Sequence, residues 1–196
     1  MAKKYDESSV KKLRGIEPVQ RLPGMYTRTS DPTHIIQEAI DNAADEALGG
    51  HADRIEVTVH QDGSVTVTDN GRGIPIGIHP EEKIPTVELV LTELHAGAKF
   101  SRTDVEAAYK FSGGLHGVGV SVTNALSEKL EIEVKREGGV HEMAFADGKV
   151  VKKLKRTGTV GDRNTGTSLR IWPNKKYFDS PKVSLNDLER IVRSKA

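Results

Sequence analysis

No cysteine occurs in the sequence. That excludes disulfides, thiol catalysis and cysteine-bound zinc. No apolar run approaches membrane-spanning length, and no apolar core follows the charged start "MAKKYDESSVKK" as a signal peptide requires. An excess of one charge is lacking too. The 29 basic and 28 acidic residues leave a net charge of +1, so this chain alone implies no strong field for nucleic acid or an anionic membrane. There are no internal repeats and no low-complexity tract. What is left is an ordinary globular chain, and 196 residues suffice for one domain with a real core. A cytoplasmic location is the default expectation. The chain ends inside an apparent helix, "SLNDLERIVRSKA", with no stop signal, and is expected to be a fragment of something longer.

Residues 1–30 are polar and turn-rich, apart from a short helix expected at 7–13, and read as an arm rather than core. Pro32 suits the first turn of a helix, with Asp31 as N-cap. That helix is expected to run to about Leu48 and stop at Gly49 and Gly50. "RIEVTVH" and "SVTVTD" alternate apolar and polar residues and predict a hairpin. "TVELVLTELH" predicts a short helix. Residues 96–118 form a long glycine-containing segment of the kind that serves as a lid or binding loop. A helical pattern at 118–126 follows, then strands at "KLEIEVKR", "VHEMAFA", "KVVKKLK" and "TSLRIWP". The set predicts a two-layer α/β sandwich, with a mixed, mostly antiparallel sheet covered by helices.

Three stretches carry possible chemistry. "FSGGLHGVGVSV" at 111–122 has Gly113, Gly114, Gly117 and Gly119 running into the next helix. Glycines let backbone N–H groups converge on an anion, and a helix start adds its dipole. A P-loop lysine is missing, and the spacing is wrong for a dinucleotide fingerprint. The bland alternative is a flexible hinge. On the helix from residue 32, Ile36, Ile40, Ala43 and Ala47 form an apolar stripe, and Glu38, Asn42 and Asp45 line the other side with Glu46 at its edge. That side is either a solvated face or a site in which Asn42 offers an oxygen to Mg²⁺ and Glu38 activates water. In "VTDNGRGIP" at 67–75, Asp69 ends a strand before Gly71 and Gly73. It is either an Asn-Gly turn or an acceptor for an exocyclic amine, beside glycines that admit a flat ring.

"EAIDNAADEA", "DNGRGIP" and "GGLHGVGVSVTNAL" in that order resemble the three boxes of the Bergerat-fold (GHKL) ATPases. That superfamily holds gyrase, a heat-shock chaperone, histidine kinases and a mismatch-repair protein. "LRGIEPVQRLPGMYT", "IHPEEKIPTVELVLTELHAGAKF" and "GTSLRIWP" extend the resemblance to the ATPase end of bacterial type IIA topoisomerase B subunits. "PTHIIQEAIDNAADEAL" and "IWPNKKYFDSP" look closer to topoisomerase IV than to gyrase.

The resemblance implies an arm at 1–30 and an ATP-binding domain at 31–196, with a transducer domain to follow. It implies that Glu38 is the general base, supported by His34, and that Asn42 holds Mg²⁺. Asp69 matches the adenine-binding aspartate, and Thr167 shares a water with it. Gly73, Ile74 and Pro75 match the adenine-pocket wall. Glu46 joins the ATP-binding set. Gly114, Leu115, His116, Gly117, Val118, Gly119 and Val120 match the phosphate lid, with Lys99 and Tyr109 near ribose and phosphates. Tyr5 matches an arm residue that reaches a partner subunit's nucleotide. Arg72 and Arg136 match arginines of the outer pocket, where aminocoumarins dock against Asn42, Asp69, Pro75 and Thr167 as well. "FSRTDVEAAYKF" is a few residues longer than the usual lid segment. The missing lysine comes, in that family, from the next domain. ATP and Mg²⁺ are the implied ligands. A topoisomerase A subunit, DNA and, on nucleotide binding, a second copy of the chain are the implied partners, this fragment alone being expected as a monomer with little turnover and a mobile lid. A histidine kinase catalytic domain and a non-enzymatic nucleotide-gated clamp are the rivals.

Overall fold

The computed structural model describes residues 13–94 and 119–195. In chain order the elements are α1 (Glu17–Arg21), a 3-10 turn (Pro23–Met25), α2 (Thr33–Leu48), β1 (Ile55–Val59), β2 (Val65–Asp69) and α3 (Thr86–Thr92). Then come α4 (Gly119–Ala125), β3 (Ser127–Arg136), β4 (Gly139–Ala146), β5 (Lys149–Thr159), β6 (Gly166–Pro173), a second 3-10 turn (Lys175–Tyr177) and α5 (Leu185–Lys195).

The strands form one sheet in the order β1-β2-β6-β3-β4-β5. The sequence predicts a partly mixed sheet, but every described strand pair is antiparallel. The last strand in sequence, β6, inserts between β2 and β3, so Asp69 comes to face Thr167 in register although 98 positions separate them. The two-residue period of a strand then decides which side chains face the helices. Val65, Val67 and Asp69 of β2 point inward together, as do Thr167, Leu169 and Ile171 of β6. On β3 the same parity runs Leu130, Ile132, Val134 and on to Arg136. One end of the inner face therefore carries polar groups on a floor of aliphatic ones.

Helices α2 and α4 pack on that face and on each other. Ile35, Ile36 and Ile40 of α2 and Val122 and Ala125 of α4 are buried with Leu130, Phe145 and Ile171 in one core. Each such large aliphatic or aromatic side chain contributes about 1.5–3 kcal/mol by leaving water. The Thr123 hydroxyl donates to the Ile35 carbonyl at 2.8 Å and fixes α4 against α2.

Three expectations change. The N-cap position is Pro32, with the helix starting at Thr33, yet Asp31 still accepts the Thr33 N–H at 2.8 Å. Residues 13–30 are not all outside the core. Val19 is fully buried, and Gln20 donates to the carbonyls of Ala125 and Asp147. Asp45 is not on an exposed face but is 5% exposed, because Ile35, Ala39 and Ala44 widen the buried side of α2 beyond a single stripe. The expected helix at 7–13 lies almost wholly outside the described residues.

Candidate functional site

Helix α2 lies across β2 and β6. His34, Glu38, Asn42 and Glu46 recur every fourth residue along one flank of it, one per turn. His34 Nε2 is 3.8 Å from Glu38 Oε1. Burial, then the charge of Arg28, push the His34 ring below its ordinary pKa, against the opposing pull of Asp41. The ring is therefore neutral near pH 7. Glu38 Oε2 lies against Gly119, where α4 begins; a Cβ on Gly119 would overlap that oxygen. A larger residue there would displace the carboxylate. The geometry brings Glu38 to the end of the glycine run, where a following helix starts.

At the other end of the flank, Glu46 holds Arg72. Its Oε2 accepts the Arg72 backbone N–H at 3.0 Å and Nε–H at 3.1 Å, and Oε1 accepts from Nη2 at 2.8 Å. Partial burial pushes the Glu46 carboxyl up, but the hydrogen bonds and charge of Arg72, with His51, outweigh it and leave it below its ordinary pKa. Asn42 sits half-buried between Glu38 and Glu46.

Asp69 is 7% exposed. Its Oδ1 accepts the Gly71 N–H at 2.8 Å and the Thr167 N–H at 3.3 Å. Among the described residues nothing donates to Oδ2. Burial pushes this carboxyl above its ordinary pKa despite the two N–H bonds, and the Glu46 charge adds to the rise. Thr167 Oγ1 accepts the Ile74 N–H at 3.3 Å. Gly73 has φ +73°, and a Cβ there would lie 2.8 Å from the Lys135 carbonyl. Arg136 Nη1 donates to the Gly73 carbonyl at 2.7 Å. The end of β3 thus clasps the turn after β2. Pro75 is exposed beyond it.

The Asn-Gly pair is not a hairpin turn, since β2 is flanked by β1 and β6 and no strand returns directly after residue 70. Asn70 instead accepts the N–H groups of Asp53 and Arg54 at 3.0 Å each and donates to Asp53 at 2.6 Å, which ties down the start of β1. That leaves Asp69 facing inward. Of the expected lid residues, Gly119 and Val120 are described, at the start of α4. Tyr5, Lys99, Tyr109, Gly114, Leu115, His116, Gly117 and Val118 lie outside the described residues, as does the expected lid at 96–118.

One contact had no sequence signal. The Thr27 hydroxyl lies 2.8 Å from His34 Nδ1. Thr27 stands in no periodic element, and only the fold of the 3-10 turn before α2 brings it to the ring.

A carboxylate and a histidine lie on one helix, the carboxylate against Gly119 at a helix start, and a second, buried carboxylate stands at a strand end beside a glycine turn; these groups have the chemistry to meet a phosphate chain and a polar ring. A family model for the histidine kinase-, DNA gyrase B- and HSP90-like ATPases matches residues 27–176. The chain belongs to this ATPase family. It is 52% identical over 196 residues to the B subunit of DNA topoisomerase 4 from Escherichia coli K12, a match that covers all of this chain and 30% of that protein. The chain thus spans less than a third of that relative's length. The ATP-binding domain of Francisella tularensis topoisomerase IV, solved with a small-molecule inhibitor, superposes with a TM-score of 0.79 at 47% identity, over 91% of this chain and 46% of that one. The 43K ATPase domain of Thermus thermophilus gyrase B, in complex with an aminocoumarin, gives 0.80 at 37% identity, over 94% of this chain and 46% of that one. The chain has the two-layer α/β fold of those neighbours. No helix among the described residues is long and apolar enough to cross a membrane.

Proposed function

We propose that this chain is the ATP-binding and ATP-hydrolysing part of a type IIA DNA topoisomerase B subunit, of the topoisomerase IV kind. The observation that carries the reading is Asp69: a buried carboxylate whose donors among the described residues both fall on Oδ1, with Oδ2 left for a ligand's N–H. An adenine amine is a donor of that kind, and the Gly73 turn gives a flat ring room beside the backbone. The higher identity to the topoisomerase 4 protein than to the gyrase B domain supports the topoisomerase IV assignment.

Glu38 takes a proton from water as the water oxygen bonds the γ-phosphorus and the bond to the bridging oxygen breaks, releasing ADP and phosphate. His34 supports that carboxylate. Asn42, through its side-chain oxygen, would hold a Mg²⁺ ion. The described residues hold no group of three acidic or histidine side chains placed for a metal, so a single neutral oxygen fits a nucleotide-borne ion better than a protein cage would. An ion held there would supply positive charge against the phosphates. Arg72, Arg136 and Pro75 form the rim that an aminocoumarin meets while it competes for Asp69 and Thr167.

In the whole subunit, cytoplasmic and paired with a topoisomerase A subunit on DNA, nucleotide binding joins two copies through their N-terminal arms, and hydrolysis resets them. The cation that follows the developing phosphate charge comes from the next domain. Calorimetry and steady-state turnover test this. Residues 1–196 bind ATP–Mg²⁺ as a monomer and turn it over hardly at all, and a chain extended through the next domain turns over steeply with protein concentration. Absence of nucleotide binding, or brisk concentration-independent turnover by residues 1–196, refutes it.

A further inference from the structure

Thr27 is 8% exposed and its backbone is fixed, since its N–H donates to the Pro23 carbonyl at 3.0 Å. Its hydroxyl oxygen lies 2.8 Å from His34 Nδ1 and 3.3 Å from the Arg28 carbonyl. A hydroxyl has one proton to give, so two arrangements compete. In the first, Thr27 donates to Nδ1, and the ring carries its proton on Nε2. In the second, Thr27 donates to the Arg28 carbonyl, and Nδ1–H donates to Thr27. The other side of the ring decides between them. Nε2 faces Glu38 Oε1 at 3.8 Å. An ionised carboxylate only accepts, so a bare Nε2 lone pair there would meet another acceptor, whereas Nε2–H meets it favourably.

We propose that Thr27 is a positioning residue for hydrolysis: its hydroxyl donates to His34 Nδ1, holds the ring as the Nε2–H tautomer and so aims an N–H at Glu38 Oε1. Glu38 Oε2 lies on the side of Gly119. The neutral state of the ring, set by burial and Arg28, is what makes a tautomer choice necessary. The consequence for turnover rests on the reading of Glu38 as the base; the tautomer does not.

Long-range ¹H–¹⁵N correlation on the histidine-labelled chain reads the ring directly. The expected result is a protonated Nε2, with Nδ1 as an acceptor whose resonance moves in Thr27→Val. ATP turnover in a chain extended through the following domain is expected to fall about tenfold in Thr27→Val with KM for ATP unchanged, a part of the roughly 10²–10⁴ that a positioned base supplies. Thr27→Ser, which keeps the hydroxyl, restores it. A wild-type ring protonated on Nδ1 overturns the proposal. So does turnover in Thr27→Val equal to wild type, or a Thr27→Ser variant as slow as Thr27→Val, which would mean that packing rather than the hydroxyl matters. Failure of the wild-type chain to bind ATP would instead strike the ATPase reading and leave the ring result standing.

Discussion

Replacing Asp69 with asparagine separates what the residue does for the ligand from what it costs the fold. The side-chain oxygen of asparagine must stay where Oδ1 is, because two N–H groups, from Gly71 and Thr167, point at it. The amide nitrogen then occupies the Oδ2 place and presents a donor to the ligand's donor. A buried N–H left without an acceptor costs about 1–3 kcal/mol, which is roughly 5- to 150-fold in Kd. ATP binding should weaken by at least that range in calorimetry.

Stability should move the other way. Burial holds the Asp69 carboxyl above its ordinary pKa of 3.8, although both N–H bonds favour the anion. Burial therefore outweighs the bonds. A carboxyl whose folded pKa exceeds its unfolded one binds more protons in the native state, so its contribution is fully present below 3.8 and is lost as pH rises through the folded value. At pH 8 the wild type carries that penalty in full and Asp69→Asn does not. The variant should melt higher than wild type at pH 8, and the gap should close as pH falls into the carboxylate range. Binding within twofold of wild type, or a melting point below it at pH 8, would refute the reasoning.

Glu38→Gln in a chain extended through the next domain should bind nucleotide normally and turn it over orders of magnitude more slowly; normal turnover would remove Glu38 as the base. Gly73→Ala should destabilise the fold by about 1–3 kcal/mol for a side chain at positive φ, and more from the approach to the Lys135 carbonyl. Denaturant melts measure this, and an unchanged midpoint would show that the turn can relax. Arg136→Ala should weaken an aminocoumarin more than ATP in competition binding, because its guanidinium is partly exposed at the pocket rim while it also clasps the Gly73 carbonyl. Equal losses would mean that it acts only through the turn.

What could be read in advance was what local periodicity controls. The period of a strand places Asp69 on the same face as Val65 and Val67, and helical spacing lines up Glu38, Asn42 and Glu46, so the described candidate residues of β2 and α2 follow from the order of residues. What could not be read depends on neighbours supplied by distant parts of the chain. Nothing in the sequence pattern signals Asp41 as buried, yet it is, and α5, returning from more than 150 residues away, sets Lys195 2.8 Å from it. Val19 sits in a polar, turn-rich stretch that gives no core signal, and it joins the core where α1 packs on α4, with Gln20 donating to the carbonyls of Ala125 and Asp147. Thr27 shows the same limit at the scale of the chemistry. It lies seven residues before His34, across a chain reversal and a helix start, so no helical or strand period relates the two. A positioning contact of that kind is defined by where a turn ends, and turn ends are fixed by packing rather than by pattern.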